Sequence, residues 1–314
     1  MDVSKILANH IPVKKEIPSP KDWLFSSVLP QLKTEPRTEY TIPEVTAISN
    51  QEVLPSCVSN AVCDAFECVD GTKIDLSRLF VYWNSRFDPK QVTGTDIRDA
   101  LDAIRVWGVP PETLWPYAPA KVNVRPSDDV WPVAAQHKRM TYYRVQTQQE
   151  MVASIDAGWP VVFGIQLDAE FLTRNPAADY VFRGEVLADA RHAMLIVGYR
   201  FVGNALHFRV RNSWGTDWGD AGYCWFDSAY MMRDYHDGWA ITNFTMVEPL
   251  TSIRNVEFAA ETLVAMGGLA LGYVVTANQT IPLGWAITMA AFQGFAIWRR
   301  WWINQSIRQR VSLF

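Results

Sequence analysis

The chain has 314 residues, 49% of them hydrophobic and 20% charged, a composition that excludes a disordered protein and fits one large domain or two of ordinary size. A formal net charge of −4 leaves no basic excess to neutralise phosphates, so nucleic acid is excluded as an expected partner. Four cysteines, Cys57, Cys63, Cys68 and Cys224, are too few for a disulfide framework in a chain this long, which favours a reducing compartment.

Residues 1–45 are rich in proline and charge and lack periodicity. They read as an extended arm with one short helical turn around 21–27. No apolar run near the start is long enough for a signal peptide, so classical secretion is not expected. Residues 59–69, SNAVCDAFECV, space their apolar side chains as a buried helix does, starting near Cys57 after Pro55. A second helix fits LSRLFVYWNSRF at 76–87. A third opens at Asp96 and stops at Gly108. Beyond Pro110 and Pro111 the pattern changes. The stretches 141–146, 160–167, 192–201, 205–214 and 222–228 alternate or run apolar and are rich in β-branched and aromatic residues, as strands are. A helix at 148–157 lies between the first two. A helical half ahead of a β-rich half predicts an α+β fold.

Thiol catalysis needs an ionisable thiol, a base and donors for an oxyanion. Cys57 opens a predicted helix, where the helix dipole favours a thiolate. Cys63 and Cys68 fall within or at the end of that helix, and Cys224 falls in a predicted strand among aromatics. For those three, buried packing is the expected role. Of five histidines, His192 stands at the head of an apolar strand, where it would face a cleft. Asn212 ends another such strand and would hold the imidazole if the two strands are neighbours. Trp214 would shield that bond from water.

The set Gln51-EVLPSCVSNA, His192-AMLIVGY and Asn212-SWGTDWGDAGY resembles the papain family of cysteine peptidases, and intervening stretches resemble its bacterial and phage members. The resemblance spans about residues 40–245. Cys57 and His192 are 135 residues apart, within the interval of about 130–150 expected for that family. It implies a two-lobed papain-like fold. It also implies a peptidase acting through a thiol acyl-enzyme on a peptide or protein substrate, without metal or cofactor. Cys57 would be the nucleophile, His192 the base and then acid, and Asn212 the residue that orients the ring. The Gln51 side chain and the Cys57 amide would hold the oxyanion. Gly94, Gly164, Ala193 and Trp214 would bind substrate, with residues 160–164 and Ala193 lining the pocket for the side chain before the cleaved residue. The family's usual cysteine three residues before the nucleophile is Leu54 here, its usual glycine is Pro55, and its usual tryptophan after the nucleophile is Val58. With about 45 residues ahead of the core, either no zymogen stage is expected or the arm does a smaller job. The alternatives are a non-catalytic structural or interaction module on this fold, such as a phage virion component, or a transferase or deamidase using the same thiol.

The predicted domains are the arm 1–45, a peptidase domain 46–248 and a tail 249–314. Within the peptidase domain the helical lobe covers about 55–120 and the β-rich lobe about 140–248. The first 261 residues carry −8 and the rest +4, with no charge between Thr262 and Trp298. Apolar stretches at 258–276 and 282–298, with flanking tryptophans and Arg299 and Arg300, predict a hydrophobic helical hairpin. It would either enter a membrane or lie buried against an oligomer or virion partner through residues 258–303. The expected location is then the cytoplasmic face of a membrane, or a virion.

Overall fold

The computed structural model of the chain describes residues 18–20, 22–32, 37–43, 46–70, 73–138, 141–184 and 186–242. All of them fall within the compact unit Met1–Thr245. Strand β1 (Glu39–Thr41) comes first, followed by helices α1 (Cys57–Asp70), α2 (Arg78–Ser85), α3 (Ile97–Trp107) and the short α4 (Val130–Ala134). The β half then runs β2 (Thr141–Arg144), α5 (Gln148–Asp156), β3 (Val161–Asp168), α6 (Ala169–Thr173), β4 (Val181–Phe182) and β5 (Val186–Val202). It ends with β6 (Ala205–Arg211), β7 (Tyr223–Asp227), α7 (Ser228–Asp234) and β8 (Tyr235–Thr242).

The local signals explain most of these elements. Ser77 caps α2 by accepting the Phe80 amide at 3.3 Å, and Thr147 and Glu150 form a capping box on α5. Gly108 ends α3 at φ +79°, and a Cβ there would lie 1.8 Å from the Ala134 carbonyl oxygen, so only glycine fits. β5 begins at Val186, ahead of the apolar run from His192, and β6 stops at Arg211, where the chain turns into Asn212.

The strands form one sheet in the order β2-β8-β3-β5-β6-β7-β4, antiparallel except for β4 beside β7, and β1 adds to β5. One core lies within the β half, around Phe163, Phe171, Met194, Phe208 and Phe226. A second joins α1 and α3 to the sheet through Val58, Val62, Leu101, Val162, Leu195 and Trp239. Each such side chain contributes about 1.5–3 kcal/mol on burial.

Helix α1 is the central element, with residues 57–67 all buried. A helix buried all round can carry polar residues only where they are bonded. Asp64 meets Arg78 at 2.7 Å and Arg211 of β6 at 3.0 Å, and Ser49 donates to it at 3.1 Å. Glu67 meets Arg78 at 3.2 Å and accepts the Leu76 amide at 2.8 Å. Burial works to raise the Asp64 carboxyl, but Arg211 and Arg78 outweigh it and hold the group below its ordinary range. Burial pushes Glu67 up to about 7.

The arm also has ordered contacts. Short 3-10 turns lie at Phe25–Ser27 and Leu29–Gln31, and the Trp23 carbonyl accepts the Arg144 amide at 2.7 Å. The buried Asp22 carboxylate pairs with Arg98 of α3 and with Arg144 of β2.

The two-lobed α+β part of the expectation stands. Its hairpin part is corrected. Among the described residues no helix is long and apolar enough to cross a membrane. The stretches 258–276 and 282–298 both fall short of the about 20 apolar residues a span requires, and they lie outside the described residues. With the hairpin go the attachment to a membrane, oligomer or virion through residues 258–303 and the location on a cytoplasmic membrane face or in a virion.

Candidate active site

Four separate segments meet at the N-terminus of α1. Pro55 and Ser56 lead into the helix. Ser56 accepts the Asn60 amide at 3.0 Å and shares a bond of 2.6 Å with the Tyr117 hydroxyl. That fixes Cys57 as the first helical residue, buried at 3% exposure, at the positive end of the helix dipole. Its sulfur faces the backbone amides of Ala193 and Val58. Burial pushes the thiol up to about 11, and the amides of Ala193, Val58 and Cys57 itself pull it back. A thiol in that state needs a nearby base before it can act.

Ala193 follows His192 on β5. The His192 Nε2 lies 2.8 Å from Asn212 Oδ1. The same Oδ1 accepts the Ser213 amide at 2.8 Å, which identifies that atom as the oxygen. Nε2 must then carry a hydrogen, and in the neutral ring Nδ1 holds the lone pair. The indole of Trp214 stacks on the imidazole, with centroids 5.0 Å apart and planes at 30°. Phe171 and Trp218 pack on Trp214 at 5.4 and 5.3 Å, so the ring pair is sealed from water.

Gln51 is tied to the same strand end. Its amide donates to the Ser213 carbonyl at 2.8 Å, and Gly215 donates to the Ser49 carbonyl at 3.0 Å. Its side chain is held at both atoms. Oε1 accepts the Ser213 hydroxyl at 2.7 Å, and Nε2 donates to the Leu54 carbonyl at 3.0 Å. The Tyr117 hydroxyl donates to the Gln51 carbonyl at 2.8 Å. Gly164 on β3 pairs directly with Ala193, and both are buried. Gly94 lies half-buried in the loop before α3, next to Thr93, whose carbonyl accepts the Tyr82 hydroxyl at 2.7 Å.

The structure thus brings together Cys57, His192, Asn212, Gln51, Gly164, Ala193 and Trp214. Trp214 is wholly buried against His192. Sequence reasoning passed over Ser213 and Tyr117, which hold Gln51. Ser213 was in plain view within Asn-Ser-Trp-Gly, whereas nothing in the sequence around Tyr117 connects it to a residue 66 positions earlier. All four cysteines are free. Leu54, in place of the family's usual cysteine, packs in a small cluster with Leu79, Phe80 and Trp115. Among the described residues no group of His, Cys, Asp and Glu could hold a metal ion.

A dry thiol against the Ala193 amide, next in sequence to an imidazole held by Asn212, suits attack on an acyl carbon, with the proton held on the ring. Fold and site together define a thiol hydrolase of the cysteine-peptidase kind. The sequence profile of the papain family cysteine proteases matches residues 33–236, and the chain belongs to that family. It is a papain-family cysteine protease whose buried Cys and His fit a thiol-protease mechanism.

Relatives come from several kingdoms. An uncharacterized peptidase C1-like protein of Acanthamoeba polyphaga mimivirus is 26% identical over 227 residues, 65% of this chain and 72% of that protein. The viral cathepsin of Orgyia pseudotsugata multicapsid polyhedrosis virus is 27% identical over 57% of this chain, which spans 55% of the cathepsin's length. Among solved structures, xylellain, a cysteine protease from Xylella fastidiosa, superposes with a TM-score of 0.64 at 26% identity, covering 74% of this chain and 96% of that one. Plant proteases also match, so the likeness holds for the family and is not special to bacteria and phages.

Proposed function

We propose that this chain hydrolyses peptide bonds with Cys57 as nucleophile, His192 as base and acid, Asn212 as the residue that orients the ring, and Gln51 as an oxyanion donor. The observation that carries the reading is the 2.8 Å bond from His192 Nε2 to Asn212 Oδ1, which leaves Nδ1 basic beside the segment that meets the Cys57 sulfur. The peptidase domain would be 46–248, preceded by the arm and followed by the tail. Membership of the bacterial or phage type is part of the proposal, supported by Val58 and the likeness to xylellain.

In the reaction the Cys57 proton passes to His192 Nδ1, and the thiolate attacks the carbonyl carbon. The carbonyl π pair moves to oxygen as the carbon–sulfur bond forms. That oxyanion meets the second hydrogen of Gln51 Nε2, whose first goes to Leu54, and the Cys57 amide, which has no acceptor within the first turn of its helix. The imidazolium returns its proton to the leaving amine as the carbon–nitrogen bond breaks. Water then attacks the thioester, giving a proton to His192, and the thiol is restored as the acid leaves. Gly94, Gly164 and Ala193 would hold the substrate, and Trp214 would keep the His192–Asn212 bond dry.

A peptidyl epoxide tests the reading. We expect it to label Cys57 alone among the four cysteines, and labelling to disappear in His192→Ala. Folded wild-type protein that stays unlabelled would overturn it and favour a non-catalytic module.

A further inference from the structure

Strands β1, β5, β6 and β7 place four polar residues in one row. Glu39 pairs with Arg200, Arg200 with His207, and His207 with Asp227. Their chain neighbours Tyr199, Leu206, Phe208 and Phe226 belong to the core of the β half. Side chains alternate along a strand, so the row stands on the opposite face. Arg183, next after β4, joins it at the far end, with Nη2 3.4 Å from His207 Nε2. The row is remote from the candidate active site. Arg200 lies eight positions beyond His192 on β5, about 26 Å along an extended strand.

Two buried N–H groups in this row have no acceptor among the described residues. An arginine can only donate, so His207 Nε2 accepts from Arg183, and in the neutral ring Nδ1 carries the hydrogen. His207 is 4% exposed, and its Nδ1 has no hydrogen-bond partner. The Nε of Arg200 is buried and unpartnered as well. Burial, followed by Arg200 and Arg183, pushes the imidazole below its ordinary value, and Asp227 only partly offsets them. Residues paired directly across two strands hold their Cβ atoms about 4.5–5.5 Å apart, so the two donors sit on neighbouring side chains. The Arg200 guanidinium reaches across β6 and lies 3.9 Å from the centre of the Trp225 ring on β7. That stacking holds it beside His207.

The carboxylates of the row do not supply the missing acceptor. Asp227 Oδ1 caps α7, accepting the Ala229 and Tyr230 amides at 2.9 and 3.3 Å. Its Oδ2 lies 3.8 Å from Arg183 and 3.9 Å from His207, beyond hydrogen-bond reach. Glu39 is exposed and leaves Arg200 Nε unpaired. Arg209, half-buried on the same face against Tyr223, adds a third cation against two carboxylates. A buried donor without an acceptor costs about 1–3 kcal/mol, and two side by side call for an explanation.

We propose that this row binds an oxyanion, the phosphate or carboxylate group of a ligand, which accepts from His207 Nδ1 and Arg200 Nε. Such a group offers several lone pairs at once, and its bonds from a guanidinium are about twice as strong as neutral ones. Arg183 and Arg209 add to the attraction from either side.

The test is titration of the full chain with inorganic phosphate and with acetate, each against sodium chloride of equal ionic strength. The imidazole nitrogen resonances of His207, identified by their loss in His207→Gln, are followed by NMR, and Tm is recorded alongside. At least one anion should shift the His207 signals saturably and raise Tm. The anion that does so at lower concentration tells a phosphate site from a carboxylate site. Arg200→Gln should weaken the binding by about 10- to 150-fold. Cys57→Ala should bind as the wild type does, so the outcome is independent of the peptidase reading. The absence of a saturable shift with either anion would overturn the proposal, and this comparison does not depend on a variant folding. So would unchanged affinity in folded Arg200→Gln.

Discussion

The two sides of the cleft are held by different means. On the helical side, the place of Cys57 follows from the backbone of α1, and α1 is pinned by buried charges through Asp64, Glu67, Arg78 and Arg211. On the sheet side, His192 stands on β5 and is held by its bond to Asn212 and by the stacked Trp214 indole, among other contacts. The proposed nucleophile therefore depends on a whole element staying put, whereas the proposed base depends more on neighbours within a few ångströms. Damage to the first should unsettle fold and activity together. Damage to the second should cost activity more than stability.

The largest effect expected is from Cys57→Ala, which removes the attacking atom. Turnover should fall by about 10⁴-fold or more with little change in Tm. A residual rate near the wild type would remove Cys57 from the chemistry. Next comes Asp64→Ala, which removes the buried carboxylate shared by Arg78 and Arg211 and should cost about 3–5 kcal/mol in denaturant unfolding. A loss below about 1 kcal/mol would mean that these charges do not hold α1. Gln51→Ala should lower kcat by about 10²–10³-fold, the usual cost of one oxyanion donor. An effect on KM alone would assign the residue to ground-state binding instead.

Asn212→Ala supplies the contrast with Asp64→Ala. Loss of its bond to the imidazole should cost about 10- to 150-fold in kcat/KM, and the Ser213 amide left without its acceptor should lower stability by less than Asp64→Ala does. If stability fell as far as activity, the distinction between the two sides would fail. The smallest effect concerns pH. Burial pushes Glu112 in the helical half up to about 7, from an ordinary value of 4.5. The folded chain binds that proton more tightly than the unfolded chain does. Its contribution is complete below about 4.5 and is lost as the pH rises towards 7. Glu112→Gln should flatten this part of the profile of Tm against pH. Identical slopes in the two proteins would refute the assignment.

Local and motif signals made much of this visible beforehand. The start of α1 at Cys57, the glycine stop of α3 and the apolar runs of β3 and β6 all follow rules of spacing. Asn-Ser-Trp-Gly, which pointed to Asn212, is legible through the resemblance to the papain family. Strand β8 was not foreseen, because Tyr235–Thr242 opens with polar residues and a glycine before its short apolar run. Strand β1 and helices α4, α6 and α7 are too short for periodicity to register. The pinning charges were invisible for another reason. Asp64 and Arg211 are 147 positions apart, and no local pattern links two such residues until a fold joins them.

The distances in sequence also set a timetable. The Gln51–Ser213 bond spans 162 positions and the Asp64–Arg211 bond 147. A chain emerging from the ribosome carries Cys57 early, long before it has Asn212 to fix the imidazole or Arg211 to seat α1. A partly made chain thus bears a cysteine but no assembled peptidase, and competence arrives only once synthesis has passed the Asn-Ser-Trp-Gly segment. The order in which the site is encoded makes its assembly one of the last events of synthesis of the described residues.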